Sequence, residues 1–373
     1  TVFNWTSYKD HIRVTNLFLS VHVCDMPDSD DLSISNDSGQ QELTADGPTL
    51  ISADPQHGFN YPYYLAVPDR AEEPWAGEAA SSTDVTQCPI LVEPHNVGER
   101  IDDFERHLEL AKQRIQTQSG RYIADELGLP ILVPVFPRPF AEPVDWTHMI
   151  HMLCAQTIQI NDGPLELVDR QLLAMVEDAR ARLADSGIVT SEKFILNGFS
   201  AAAAFVNRFA ALHPSRVCSV SAGGLNGLAI LPQTTADLRG FGERPMNYPV
   251  GVANIKELTG KSFDRDAFCE LHQFIYMGSD DDKDALLYPD AWTDPELRGV
   301  AVLTYGEDIH QERFPHCREA YNKADANAVF RVYEAVGHTP EPALDDIVEF
   351  HARSLNGDNI ESIRDDLSGS NRL

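Results

Sequence analysis

Lys193-Phe194-Ile195-Leu196-Asn197-Gly198-Phe199-Ser200-Ala201-Ala202-Ala203-Ala204-Phe205 is the stretch whose reading decides the fold of this 373-residue chain. A short apolar strand, Phe194–Leu196, runs into Gly198-Phe199-Ser200-Ala201-Ala202. An alanine-rich helical stretch follows and stops before His213-Pro214. This is the layout of a nucleophile elbow, a tight strand-to-helix turn that holds a serine with its hydroxyl exposed. Such a turn strains the serine backbone, so its neighbours must be small. Gly198 and Ala202 meet that demand, with Ala202 standing where the motif usually ends in Gly. A plain strand–helix junction would share most of these features, so the rest of the chain has to decide.

Working outward, apolar runs and helical spacing alternate on both sides. Strands are predicted at Ile12–Val23, Tyr61–Val67, Pro89–Glu93 and Leu129–Phe136 before the elbow. Val217–Ser221, Gln273–Met277 and Ala328–Ala335 follow it. Ile101, Phe104, Leu108, Ala111 and Ile115 recur every three or four residues, which marks one buried helical face. Leu165–Leu183 repeats the pattern and stops at Ser186-Gly187. A further helix is expected from about Pro342 to Leu355. The predicted organisation is residues 1–56 as an N-terminal strand and acidic loop that contribute to the core sheet. Residues 57–355 form the core, with insertions near 140–160 and 225–271, and residues 356–373 form a polar tail.

Eight strands alternating with helices predict an α/β fold: a mostly parallel sheet with helices on both faces. Ligands gather at the carboxyl ends of such strands. Four polar clusters fall there: His95-Asn96 after strand three, Ser200 after five, Asp280-Asp281-Asp282 after seven and His338 after eight. Serine, then acid, then histidine is the chain order of the α/β-hydrolase triad.

Composition limits the partners. The chain carries 58 acidic and 29 basic residues, a net charge of −29. That charge argues against nucleic acid and anionic membranes as partners. The acids are spread along the chain and only 7 of the basic residues are lysine, a surface of the halophile type that salt would screen. No apolar run approaches the roughly 18 residues of a membrane span, and no basic-plus-apolar leader is present. Six scattered cysteines without zinc-ligand spacing predict a reducing, cytoplasmic setting. Secretion is the alternative.

From about Phe59 to Phe350 the chain resembles the α/β-hydrolase superfamily, specifically serine esterases near the polyhydroxyalkanoate depolymerase and feruloyl-esterase group. The resemblance rests on Gly198-Phe199-Ser200-Ala201-Ala202, Gly278-Ser279-Asp280-Asp281, Gly337-His338 and Pro94-His95-Asn96-Val97-Gly98. In the last loop those relatives often carry His-Gly, where this chain has Asn96. The resemblance implies a carboxylic-ester hydrolase with Ser200 as nucleophile, His338 as base and an acid three residues after the strand-ending Gly278, which is Asp281. Asp280, Asp282 and Asp284 compete for that last role, and His213, His310 and His316 are the other histidines weighed as base. The oxyanion donors would be the backbone N–H of Ala201 and one from Val97 or Asn96. His95, Trp146 and Phe199 are candidates for the substrate pocket. The chemistry calls for no metal or organic cofactor, only a small or polymeric ester as partner. A serine peptidase of the same fold and an inactive binding protein are the alternatives.

Overall fold

Strands buried on both faces must be apolar at nearly every position, because each face meets a helix layer. The sequence has such strands, and the computed structural model assembles them into one eight-stranded sheet. The structure describes residues 47–68, 87–95, 100–139, 151–238, 240–287, 292 and 294–369. The strands are β1 (Thr49–Ile51), β2 (Tyr63–Ala66), β3 (Leu91–Val92), β4 (Ile131–Pro134), β5 (Phe194–Phe199), β6 (Val217–Gly223), β9 (His272–Gly278) and β10 (Ala328–Tyr333). β7 (Thr235–Asp237) and β8 (Glu243–Pro245) form a separate hairpin. The sheet order is β1-β2-β4-β3-β5-β6-β9-β10. β2 runs antiparallel to both β1 and β4, and every other pairing is parallel.

Alternation along the strands feeds two cores. Phe194 and Leu196 of β5 and Ile275 and Met277 of β9 join one core, built with helices α3 (Val168–Asp185) and α4 (Ala201–Leu212). Ile195 of β5 and Phe274 and Tyr276 of β9 join the other. Its helices are α1 (Phe104–Thr117), α2 (Ser119–Leu127), α7 (Leu344–Leu355) and α8 (Ile360–Gly369). On α3, Leu172, Met175, Val176, Ala179 and Leu183 are all buried, so truncating Leu172 to Ala would cost about 2–5 kcal/mol. The remaining longer helices are α5 (Pro295–Tyr305) and α6 (Phe314–Lys323).

Three expectations change here. The predicted strand Ile12–Val23 lies outside the described residues, and the antiparallel edge position belongs to β1, where the sequence reading assigns no strand. The insertion at 225–271 holds the β7–β8 hairpin besides short helices. The expected polar tail from Asn356 contains α8, whose Ile360, Ile363 and Leu367 are buried. Three apolar side chains at spacings of three and four make one helical face, and that face completes the second core. Arg353 anchors the turn into α8 through Asp358.

Candidate active site

Ser200 sits between β5 and α4 with φ 61° and ψ −124°, a backbone state that costs an L-residue energy and persists only where its surroundings enforce it. The enforcement is visible. The Ser200 N–H donates to the Gly223 carbonyl at the end of β6, 2.8 Å away. α4 folds back so closely that a Cβ on Gly198 would lie 2.5 Å from the Ala202 carbonyl oxygen. Gly198 is therefore required by close approach, and Ala202 beside it is fully buried. Ala201 is the first residue of α4, so its N–H is among the donors that a helix leaves without an internal acceptor.

The acid and the histidine come from the next two strand ends. β9 stops at Gly278, where any Cβ would collide with the carbonyl oxygen of Val336. The missing side chain lets the 336–338 loop cross over the end of β9 and lowers His338 onto Asp281. His338 Nδ1 and Asp281 Oδ2 are 2.8 Å apart. Asp281 is 1% exposed, whereas Asp280 and Asp282 are solvent-exposed. Asp284 faces elsewhere, bonding Arg313 at 2.6 Å and capping the turn at Ala285–Leu287. Burial pushes the Asp281 carboxyl up. Its hydrogen bonds from His338, the Lys283 N–H and Asn226 outweigh burial and hold it below its ordinary value. Phe199 packs against the imidazole with the rings tilted and their centroids 4.7 Å apart, which helps hold the histidine in place.

Ser200 and His338 line one cleft, together with Met152, Ala201, Ala204, Arg208, Leu225 and Leu228. With Nδ1 bonded to Asp281, the other ring nitrogen of His338 is the one left for the cleft. Such an arrangement can remove a proton from a serine hydroxyl and return it to a leaving group.

Not every expected residue arrives there. Asn96, Val97 and Trp146 lie outside the described residues. His95 is not among the cleft-lining residues. It is buried with Nδ1 on the Pro134 carbonyl at 3.0 Å, its ring 5.4 Å from that of His151. Burial, with Arg114 and His107 nearby, drives its pKa down to about 3. Among the other histidines, His310 bonds the Asp281 carbonyl at 3.1 Å and His213 bonds Asp169 at 2.8 Å, so neither takes the His338 position.

Two residues were missed. Asn226, at φ 52°, donates to Asp281 Oδ1 at 3.2 Å and also to the Lys283 carbonyl. Its signal was the Gly223-Gly224-Leu225-Asn226-Gly227 run, where an asparagine between glycines suits a left-handed position. Arg208, on α4, carried no local signal beyond being a cation on a helix that is apolar apart from its neighbour Asn207.

The strand order and the strained serine turn define an α/β-hydrolase fold. No family model matches the chain, and no curated protein sequence matches it. Among solved structures it is similar to LpqC, a poly(3-hydroxybutyrate) depolymerase from Bordetella parapertussis. The identity is 19% over 82% of this chain and 89% of that one, with a TM-score of 0.47. It is similar to poly(aspartic acid) hydrolase-1 from Sphingomonas sp. KT-1 at 18% identity, covering 81% and 97%, with a TM-score of 0.45. An S-formylglutathione hydrolase from Agrobacterium tumefaciens gives 14% identity, coverage of 84% and 98%, and a TM-score of 0.45. The fold assignment here rests on the sheet order itself.

Proposed function

We propose that the protein is a serine hydrolase that cleaves carboxylic esters through an acyl-enzyme. One observation carries this reading: Ser200, on a strained turn at a helix N-terminus, shares a cleft with a histidine that is hydrogen-bonded to a buried carboxylate. Ser200 Oγ attacks the ester carbonyl while His338 Nε2 takes its proton. Asp281 keeps the proton of the neutral imidazole on Nδ1 and stabilises the imidazolium once it forms. The negative oxygen of the tetrahedral intermediate accepts a hydrogen bond from the Ala201 N–H. A second donor from the 96–97 backbone completes the pair, each worth about 3 kcal/mol of barrier. Collapse passes the proton from His338 to the departing alcohol and leaves the acyl group on Ser200. Water then repeats the steps with His338 as base, releasing the acid and restoring the serine.

The roles divide by environment. Asp281 is almost wholly enclosed and its carboxyl held down, so it stays ionised through the cycle. His338 is 21% exposed at its side chain, enough to meet a substrate and a water in turn. The test is turnover of short-chain p-nitrophenyl esters before and after treatment with a fluorophosphonate. Turnover that disappears on labelling is the expected result. Labelling without any ester turnover would move the reading to amide bonds, and no labelling at all would overturn it.

A further inference from the structure

Arg208 lies eight residues into the helix that Ser200 begins, on the face shared with Ala201 and Ala204 through spacings of three and four. It is 1% exposed and lines the cleft with Ser200 and His338. A buried guanidinium ordinarily carries a carboxylate, because an uncompensated charge in an apolar interior is costly. Arg313 shows the ordinary case here, with Asp284 at 2.6 Å. Arg208 has no carboxylate partner among the described residues. Its Nη1 donates to the Met152 carbonyl at 2.7 Å and to Cys154 Sγ at 3.3 Å, and its Nε is buried without an acceptor. The buried carboxylate of Asp169 is bonded by His213 instead. A protein with a net charge of −29 thus keeps, in its cleft, a buried cation that no carboxylate among the described residues balances.

We propose that the substrate ester carries a carboxylate and that Arg208 is its counter-ion, a specificity-determining contact that rests on the ester-hydrolase reading. Eight residues of helix at 1.5 Å each put the Arg208 backbone about 12 Å along the axis from Ser200. Long helical side chains lean back toward the N-terminus, which leaves the guanidinium roughly 5–8 Å short of a carbonyl at Ser200. Two to four carbons, as a rough estimate from those dimensions, then separate the carboxylate from the reacting carbon. Met152, Leu225 and Leu228 supply an apolar wall along that path, where a charged pair is weakly screened. The planar fork suits a carboxylate better than a point charge would.

The experiment compares kcat/KM for two matched pairs in about 1 M KCl, which shortens the screening length to about 3 Å and offsets repulsion by the acidic surface. Monoethyl glutarate against ethyl pentanoate places the charge on the acyl side. The 4-acetoxybutanoate anion against butyl acetate places it on the alcohol side. The anion of one pair is expected to be favoured by about 10–100-fold. Arg208→Met should bring that ratio close to one, with Arg208→Lys in between. Ratios near one in the parent for both pairs, or an Arg208→Met loss that falls equally on anion and neutral ester, would overturn the proposal. A readout free of ester turnover keeps the two readings apart: glutarate should slow fluorophosphonate labelling of Ser200 in the parent and not in Arg208→Met. Arg208-dependent protection without turnover of any ester would sink the ester reading and leave the anion site. Turnover without protection or preference would do the reverse.

Discussion

Helix α4 has a histidine–aspartate pair at each end, and the two are built from nearly the same parts. At its start His338 meets Asp281 at 2.8 Å, and at its end His213 meets Asp169 at 2.8 Å. Each imidazole packs on a phenylalanine, Phe199 at 4.7 Å and Phe209 at 4.8 Å, and each carboxylate is buried. The differences are which nitrogen is engaged and what lies beyond the other. His338 uses Nδ1 and presents its far nitrogen to the cleft that contains Ser200. His213 spends Nε2 on its aspartate and sits at the C-terminal end of the helix, away from Ser200. On the proposed reading, only the pair whose outward nitrogen is left for the Ser200 cleft serves catalysis.

The sharpest way to break this comparison is to remove the nucleophile. Ser200→Ala should keep the fold and lower ester turnover by about 10⁴-fold or more, and survival of a tenth of the activity would end the assignment. Next, Asp281→Asn should cost on the order of 10²–10⁴-fold in kcat, because the amide fixes the wrong imidazole tautomer. Asp280→Asn and Asp282→Asn should change turnover by only a few-fold. Asp169→Asn is the matched control at the other end of the helix. It should lower stability by about 1.5–3 kcal/mol, the worth of a hydrogen bond to a charged group, and leave kcat per folded molecule nearly unaltered. If Asp169→Asn cut turnover as deeply as Asp281→Asn, the contrast between the two pairs would collapse.

Acid should act through a third set of histidines, which have no carboxylate partner among the described residues. His351, bonded to Ser219 and Ser221, and His95 are both driven down to about 3 by burial. Their unfolded values lie near 6.5, so between about pH 6.5 and 3 the unfolded chain binds protons that the folded one refuses. Stability is therefore full above that window and falls through it by up to about 1.4 kcal/mol per pH unit for each histidine. His351→Gln should flatten the slope of denaturation free energy against pH by about one proton. An unchanged slope would show that His351 titrates normally. Salt should have the smallest effect on the two buried pairs and act mainly on the surface acids. The melting temperature is expected to rise with KCl while kcat per folded molecule moves little. A flat melting temperature would contradict the salt-adapted reading of the charge.

Seven of the eight sheet strands were legible because short, mainly apolar runs bounded by polar, Gly or Pro residues leave few alternatives to a buried strand. β1 was not, being three residues long and held only by its antiparallel partner β2. The tail was misread because α8 has just three apolar anchors among acids. Ser200 and His338 could be singled out because each sits at a strand end where glycine or alanine breaks the pattern, whereas Asp281 was separated from Asp280, Asp282 and Asp284 only by the family resemblance. Arg208 could not be singled out, and for Asn226 the glycine-rich run marks only the turn, since their partners Met152 and Asp281 are more than fifty residues away in sequence. His95 sits on the expected strand-end segment, yet its side chain turns inward to Pro134 rather than toward the cleft, a choice that local sequence does not encode.

The most direct measurement of the central claim is active-site titration with a fluorophosphonate, followed by peptide mapping of the adduct. The account predicts one label per chain, carried on the Ser200 peptide, with ester turnover falling in proportion to labelling and no label on Ser200→Ala. A stoichiometric label on any other residue, or turnover that persists after Ser200 is fully labelled, would contradict it.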